Sequence, residues 1–335
     1  MDSMQAQVIK AWHSKCSWMQ LLWPISILFR VLVFFRRLIL RYLYQGKGFS
    51  APVIVVGNIS VGGCGKTPLI IALASQLIKR GTAVAIVSRG YGAKSDNYPL
   101  QVQPNTSASE CGDEPLLIRH NLPLDKSIVV VDPDRSRGVK HALQSFSCDL
   151  VLCDDGLQHY RLHRDAEIAV IDGARGFGNK LCLPAGPLRE PVSRLSSVDF
   201  VVVNGEHSLG SSIDIDTGFY LAPCHFRNLS TGEVVGLDDW VGPKTIHALA
   251  AIGNPKRFSD TLESLGFEVI LLPFDDHQIM TEADFTFEDD YPVIITSKDA
   301  VKFPAVEFQH VWVLEVEAKI SSDFVDNLLT AVDLN

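Results

Sequence analysis

The 335-residue sequence contains no C-x-x-C pair, and its seven cysteines (Cys16, Cys64, Cys111, Cys148, Cys153, Cys182 and Cys224) are odd in number. That argues against a disulfide frame or a zinc ribbon and fits a reducing compartment. A positive charge balance is missing too. The net charge is −9, which speaks against a general nucleic-acid binder, and no nucleic acid is expected as a partner. No internal repeat or low-complexity tract is visible. With 47% hydrophobic and 21% charged residues, the chain can bury a substantial core. Near the N-terminus the longest charge-free stretch is Cys16–Phe29, broken by Pro24, shorter than the about 20 apolar residues of a membrane span.

What charge there is lies unevenly. Residues 1–50 carry seven Lys/Arg against one acid, a net +6, leaving −15 on the rest. Trp18 to Tyr44 is rich in Leu, Ile, Val, Phe and Trp, and Arg30, Arg37 and Arg41 recur at helical spacing on one face. A basic, aromatic helix on an acidic body predicts contact with an anionic membrane surface. The helix is expected to lie in the interface with its charged heads wet; a span by residues 16–35 and a core helix are the alternatives.

Short apolar strands then alternate with helical segments. The strands are expected at Pro52–Gly57, Thr82–Val87, Ser127–Asp132, Cys148–Cys153, Ala166–Asp172 and Val198–Val203. This rhythm predicts an α/β fold, a mostly parallel sheet with helices on both faces, binding ligands at the carboxyl ends of its strands. Two strands around Ser230-Thr-Gly232 read as a hairpin, and a second βα rhythm starts near Ile246. The expected organisation is a membrane-associated helical segment (1–48), a P-loop core (49–220), a hairpin linker (221–240) and a smaller C-terminal α/β lobe (241–335).

The most specific feature is Ser60-Val-Gly-Gly-Cys-Gly-Lys-Thr67, placed between a strand and a helix. Glycines let successive N–H groups point inward, and the new helix offers its positive end. Gly62, Gly63, Cys64, Gly65, Lys66 and Thr67 are therefore candidate ligands of a nucleoside triphosphate, with Thr67 on Mg²⁺. Ser60 stands where the usual pattern has glycine. Asp154 and Asp155 end a strand and are candidate Mg²⁺ ligands facing Thr67; helix capping is the plainer role. Asp113, in Gly112-Asp-Glu-Pro115, reads equally as a catalytic acid or a helix start, and His277 taken alone as an ordinary loop histidine.

Several segments occur in a fixed order: Asn58–Pro68, Ser88-Arg-Gly-Tyr-Gly92, Gly112–Pro115, Asp154-Asp-Gly-Leu-Gln-His159, Leu183–Glu190, Ile252–Phe258, Asp276-His277 and Lys298–Lys302. Together they resemble the tetraacyldisaccharide 4′-kinase family, the lipid A 4′-kinases, over nearly the whole chain. The resemblance implies transfer of the γ-phosphate of ATP to the 4′-hydroxyl of a tetraacyldisaccharide 1-phosphate lipid. It places the reaction at the cytoplasmic face of the bacterial inner membrane, with no obligatory protein partner. It assigns ATP to the glycine loop with Lys66 and Thr67, and metal to Asp154 and Asp155. Asp113 and His277 match an acid–histidine pair that prepares the sugar hydroxyl, while Ser88, Arg89, Tyr91 and His159 match residues lining the site. Closure of two lobes would carry His277 toward Asp113. Cys64, Gln278 and Ser297 depart from the residues usual in that family. Two other classes fit the phosphate loop: a membrane-recruited NTPase switch and a soluble small-molecule kinase or ligase.

Overall fold

The computed structural model describes residues 8–9, 11–14, 18–44, 48–207, 209, 213–275, 278–303 and 308–334. A single-turn segment, Trp18–Leu22, leads into α1 (Trp23–Leu43). Then follow β1 (Val53–Gly57), α2 (Lys66–Lys79), β2 (Val84–Ser88), β3 (Leu100–Gln101), α3 (Ala108–Cys111) and α4 (Asp113–Asn121). Next come β4 (Ser127–Val131), α5 (Arg135–Ser145), β5 (Leu150–Asp154), β6 (Ala166–Asp172), β7 (Phe200–Asn204), β8 (Thr217–Asn228) and β9 (Val234–Gly236). The C-terminal elements are β10 (Thr245–Ala250), α6 (Pro255–Ser264), β11 (Glu268–Pro273), β12 (Val293–Thr296), α7 (Ser297–Ala300), β13 (Val311–Ile320) and α8 (Ser322–Ala331).

The strands form one sheet in the order β11-β10-β12-β13-β8-β7-β6-β1-β5-β2-β4-β3, with β9 paired to β8. β1, β2, β4, β5 and β6 are buried at every position, as expected of parallel strands covered on both faces. One face packs Ile54, Val56, Ile86 and Leu152 under Leu69, Leu73 and Leu77 of α2, which recur at helical spacing. The other packs Val53, Val55, Val87 and Val151 against Val139 and Ala142 of α5 and the segment around Leu188. The expected mostly parallel α/β architecture is thus observed.

β8 joins the two sets of strands. Its first residues, Thr217–Phe219, run parallel to β7, and from Phe219 to Asn228 it pairs antiparallel with β13. The register shifts between Glu315 and Val316, whose partners are His225 and Pro223, so Cys224 is an extra residue in the ladder.

Trp18–Leu43 is long and apolar enough to cross a membrane by length and composition. Ile25, Leu28, Leu32, Phe35 and Leu38 are exposed, whereas Ser26 is buried and its hydroxyl donates to the Cys182 carbonyl at 2.7 Å. Two of the arginines also reach the body. Arg37 donates to Ser197 Oγ at 2.9 Å, Arg41 lies 3.7 Å from Glu167, and both sit over the Tyr160 ring. Arg41 stays half exposed while it meets this carboxylate and aromatic face, so contact with the body and with water coexist.

That carboxylate, Glu167 on β6, accepts from Arg194 at 2.6 Å and from Arg164 at 3.0 Å. Arg194 and Glu167 are almost wholly buried, so removing one partner strands the other's charge. Glu167→Ala is expected to destabilise the protein by about 3–5 kcal/mol. Denaturant unfolding of the full chain would measure this; an unchanged midpoint would refute it.

Candidate active site

The phosphate loop links β1 to α2 at the carboxyl end of the sheet. Gly62 and Gly65 adopt φ of 101° and 88°, a region that disfavours side chains. At Gly65 a Cβ would also stand 2.4 Å from Asn204 Nδ2. Gly65 is the N-cap of α2 and no side chain caps that helix, so its first-turn N–H groups remain available for an anion. The loop's outer wall is the 183–190 segment. Val61 N donates to Pro187 O at 2.8 Å and Arg189 N to Ile59 O at 2.7 Å.

Lys66 Nζ lies 3.4 Å from Asp155 Oδ1, and Arg189 Nη1 lies 3.0 Å from Asp155 Oδ2. Burial opposes the charge on Asp155, but Lys66 and Arg189 outweigh it and hold the carboxyl well below the usual range. Burial likewise disfavours the Lys66 ammonium. Cys64, Asp155, Glu114 and Asp154 more than reverse this, and its pKa is raised.

Asp154 ends β5 beside β1 and is almost fully buried. Ser88 Oγ donates to its Oδ2 at 3.2 Å, while Oδ1 has no hydrogen-bond partner among the described residues. Burial, with Glu114 and Asp155 adding and Lys66 and Arg135 opposing, pushes its pKa up to about 7. An orphaned buried carboxylate oxygen next to the phosphate loop is a fitting place for a hard divalent cation. Among the described residues no cluster of three or more His, Cys, Asp or Glu forms a metal cage. Asp154, Asp155 and Thr67 would therefore share Mg²⁺ with phosphate oxygens and water, the usual arrangement for that ion.

Asp113 and Glu114 open α4 behind Gly112, whose φ is 91°. Asp113 is buried, its Oδ1 accepts from Glu114 N at 2.9 Å, and Lys302 Nζ lies 3.9 Å from its Oδ2. Glu114 pairs with Lys298 at 3.2 Å. Lys298 lies in α7 and Lys302 in the turn that follows it. Lys302 is anchored at 2.9 Å by Asp299, itself buried under bonds from Thr296 Oγ1 and Ala251 N. His277 and Asp276 lie outside the described residues.

The structure therefore gathers the phosphate loop, Lys66, Thr67, Ser88, Asp154 and Asp155, with Glu114 electrostatically coupled to them and Asp113 beside it. Arg89 and Tyr91 are exposed on the loop after β2. His159 lies 3.8 Å from Asp134 at the start of α5; burial, helped by Arg135 and resisted by Asp134, lowers its pKa to about 4.

Sequence reasoning missed Arg189, Arg135, Glu114, Arg175 and Asn204 as individual residues. Arg189 sat unused inside the Leu183–Glu190 segment. Arg135 and Asn204 follow or close strands at the ligand-binding end of the sheet, a positional signal that was present. Arg135 is buried with its Nη2 3.5 Å from the Asp155 carbonyl and its Nε unpartnered. Two clefts flank the region. One of about 500 Å³ runs between α2 and the β8–β13 pair, and contains none of residues 60–67. A smaller one of about 350 Å³ is lined by Asn204, Gly205, Asn254 and Arg257.

Known proteins share this sequence pattern and fold. The sequence pattern of the Tetraacyldisaccharide-1-P 4′-kinase family (LpxK) matches residues 18–333. The tetraacyldisaccharide 4′-kinase of Hahella chejuensis (strain KCTC 2396) is 42% identical over 97% of this chain and 96% of its own. That of Pseudomonas fluorescens (strain SBW25) is 46% identical over 96% of this chain and 95% of its own. A crystal structure of LpxK from Aquifex aeolicus in complex with ATP is 30% identical, with a TM-score of 0.76, covering 94% of this chain and 99% of that one.

Proposed function

The chain belongs to the tetraacyldisaccharide-1-P 4′-kinase family, and on that premise we propose that it transfers the γ-phosphate of ATP to the 4′-hydroxyl of a tetraacyldisaccharide 1-phosphate, a step of lipid A synthesis. The observation that carries the reading at the site is the uncapped start of α2 beside Asp154, whose Oδ1 is buried and, among the described residues, unpartnered. A nucleotide's phosphates and a cation complete both.

In this reading Asp113 accepts the proton of the 4′-hydroxyl as its oxygen forms a bond to the γ-phosphorus. The bond from that phosphorus to the bridging oxygen breaks, and ADP leaves with the electron pair. Lys66 meets the charge on the β- and γ-phosphates, giving up its contact with Asp155 to do so. Arg189 remains to hold Asp155. Mg²⁺, held by Thr67, Asp154 and Asp155, would supply further charge neutralisation. We assign His277 to the acceptor side with Asp113, and Ser88, Arg89, Tyr91 and His159 to the lining of the site.

The acceptor's acyl chains keep it in a bilayer. The exposed apolar face of α1 supports a seat on the anionic cytoplasmic face of the bacterial inner membrane, with residues 1–48 as the membrane segment. We assign residues 49–220 to the phosphate-binding core, 221–240 to the link and 241–335 to the smaller lobe that supplies Lys298 and Lys302, its last helix α8 packing back on the core through Phe324, Val325 and Leu328. The reading involves no nucleic acid and no obligatory protein partner.

The test is transfer of label from γ-labelled ATP to tetraacyldisaccharide 1-phosphate in mixed micelles with Mg²⁺. Labelled lipid is expected, and none on a disaccharide whose 4′-hydroxyl is blocked. Lipid-independent nucleotide hydrolysis without labelled lipid, by folded protein, would overturn the reading in favour of a switch.

A further inference from the structure

Two consecutive carbonyls of the phosphate loop are held by side chains from elsewhere in the chain. The Gly63 carbonyl accepts from Arg175 Nη2. The Cys64 carbonyl accepts from Asn204 Nδ2 at 3.1 Å. Each of these side chains is itself fixed. Arg175 Nε is paired with Asp172 at 3.0 Å, and its Nη1 donates to the Gly253 carbonyl at 3.3 Å. Asn204 is almost fully buried, and its Oδ1 accepts from Arg257 Nη2 at 2.9 Å. Gly253 precedes α6 and Arg257 lies in its first turn, so both tethers end on the segment where β10 passes into α6.

A trans peptide fixes its carbonyl and the following N–H in opposite directions. Drawing the Gly63 and Cys64 carbonyls toward Arg175 and Asn204 therefore points the N–H groups of Cys64 and Gly65 away from them. A phosphate cradle needs its amides turned to one side. Glycine allows this geometry but does not select it, since a glycine-rich loop samples many others. Something outside the loop has to choose.

We propose that Arg175 and Asn204 are positioning residues that set the direction of the phosphate-loop amides, and that Gly253 and Arg257 make this setting depend on the placement of the C-terminal lobe. The proposal rests on the nucleotide-binding part of the function given above and not on the lipid acceptor. Asn204 can make this link because its side chain both donates and accepts. Aspartate at 204 keeps the acceptor for Arg257 but loses the donor, and sets a negative charge against the Cys64 carbonyl and the incoming phosphates. Lysine at 175 cannot span Asp172, Gly63 and Gly253 as a planar fork does.

The experiment measures ATP and ADP affinity by calorimetry on the detergent-solubilised full chain, with unfolding of the nucleotide-free protein recorded beside it. Asn204→Ala is expected to weaken both nucleotides about tenfold, the effect of losing one hydrogen bond of about 1.4 kcal/mol. Asn204→Asp is expected to weaken them more. Arg257→Ala, which leaves the Asn204–Cys64 bond in place, is expected to weaken them several-fold, and to add little once Asn204 is replaced. In turnover, KM for ATP rises more than kcat falls. Should Asn204→Ala fail to fold, Arg257→Ala and Arg175→Lys carry the test. Wild-type nucleotide affinity in the folded variants, or full additivity of Asn204→Ala and Arg257→Ala, would overturn the proposal. Failure of lipid phosphorylation with these affinity changes intact would refute the acceptor assignment and leave this one standing.

Discussion

Asp113→Ala lowers lipid phosphorylation by about 10²–10⁴-fold, the span usual for losing a general base, while ATP binds as before. The separation follows from position. Asp113 begins α4, a separate helix from the phosphate loop, where it accepts from the Glu114 amide and faces Lys302. Lys302 keeps Asp299 at 2.9 Å when the Asp113 carboxylate is removed, so that buried cation is not stranded. Asp113→Asn preserves shape but cannot take the proton and should fall as far as alanine. Labelled transfer and calorimetric ATP titration on the same preparations separate the two effects. Turnover near wild type in Asp113→Ala would remove the base assignment.

Lys66→Ala costs roughly 10²–10³-fold in kcat, the scale of losing a directed charge at a developing anion, and raises KM for ATP as well. In the structure Lys66 neutralises Asp155 at 3.4 Å. Arg189 also pairs with Asp155, so the carboxylate is not left alone and the fold survives. Lys66→Arg is not expected to rescue, since a planar fork does not replace a compact ammonium in a buried niche. Steady-state kinetics with varied ATP give both parameters. A folded Lys66→Ala with unchanged kcat would show that the lysine serves the loop's structure and not the transfer.

How much of this was legible in the sequence depended on how local each feature is. Ser60–Thr67 is contiguous, and its flanking apolar runs announce a strand and a helix, so the cradle could be read directly. The short apolar runs of β1, β2, β4 and β5 gave the parallel sheet for the same reason. Asp154 could be found because it ends such a run. The Arg189–Asp155 pair spans 34 residues, the Asn204–Cys64 bond 140 and the Arg175–Gly63 bond 112, and nothing local encodes them. Helical spacing placed Arg30, Arg37 and Arg41 on one face of α1. It could not say that this face would meet Glu167 and Tyr160, because periodicity identifies a stripe and not its neighbour. The unbroken passage of β8 from one set of strands to the other was also out of reach, since a strand's partners are chosen by the whole sheet.

That passage carries a mechanical consequence. Two bodies linked by a loose tether can swing freely, but here β8 is laddered to β7 at one end and to β13 along the rest, so independent swinging would break backbone hydrogen bonds. The compliant point is the ladder's own dislocation, the extra Cys224 opposite Glu315 and Val316, next to Pro223, which has no N–H to give. Relative motion of the two sets of strands would therefore be a torsion of a ribbon about one irregular rung. Straightening that rung by deleting Cys224 should stiffen the ribbon, and amide exchange along β13 near Val316 would then slow.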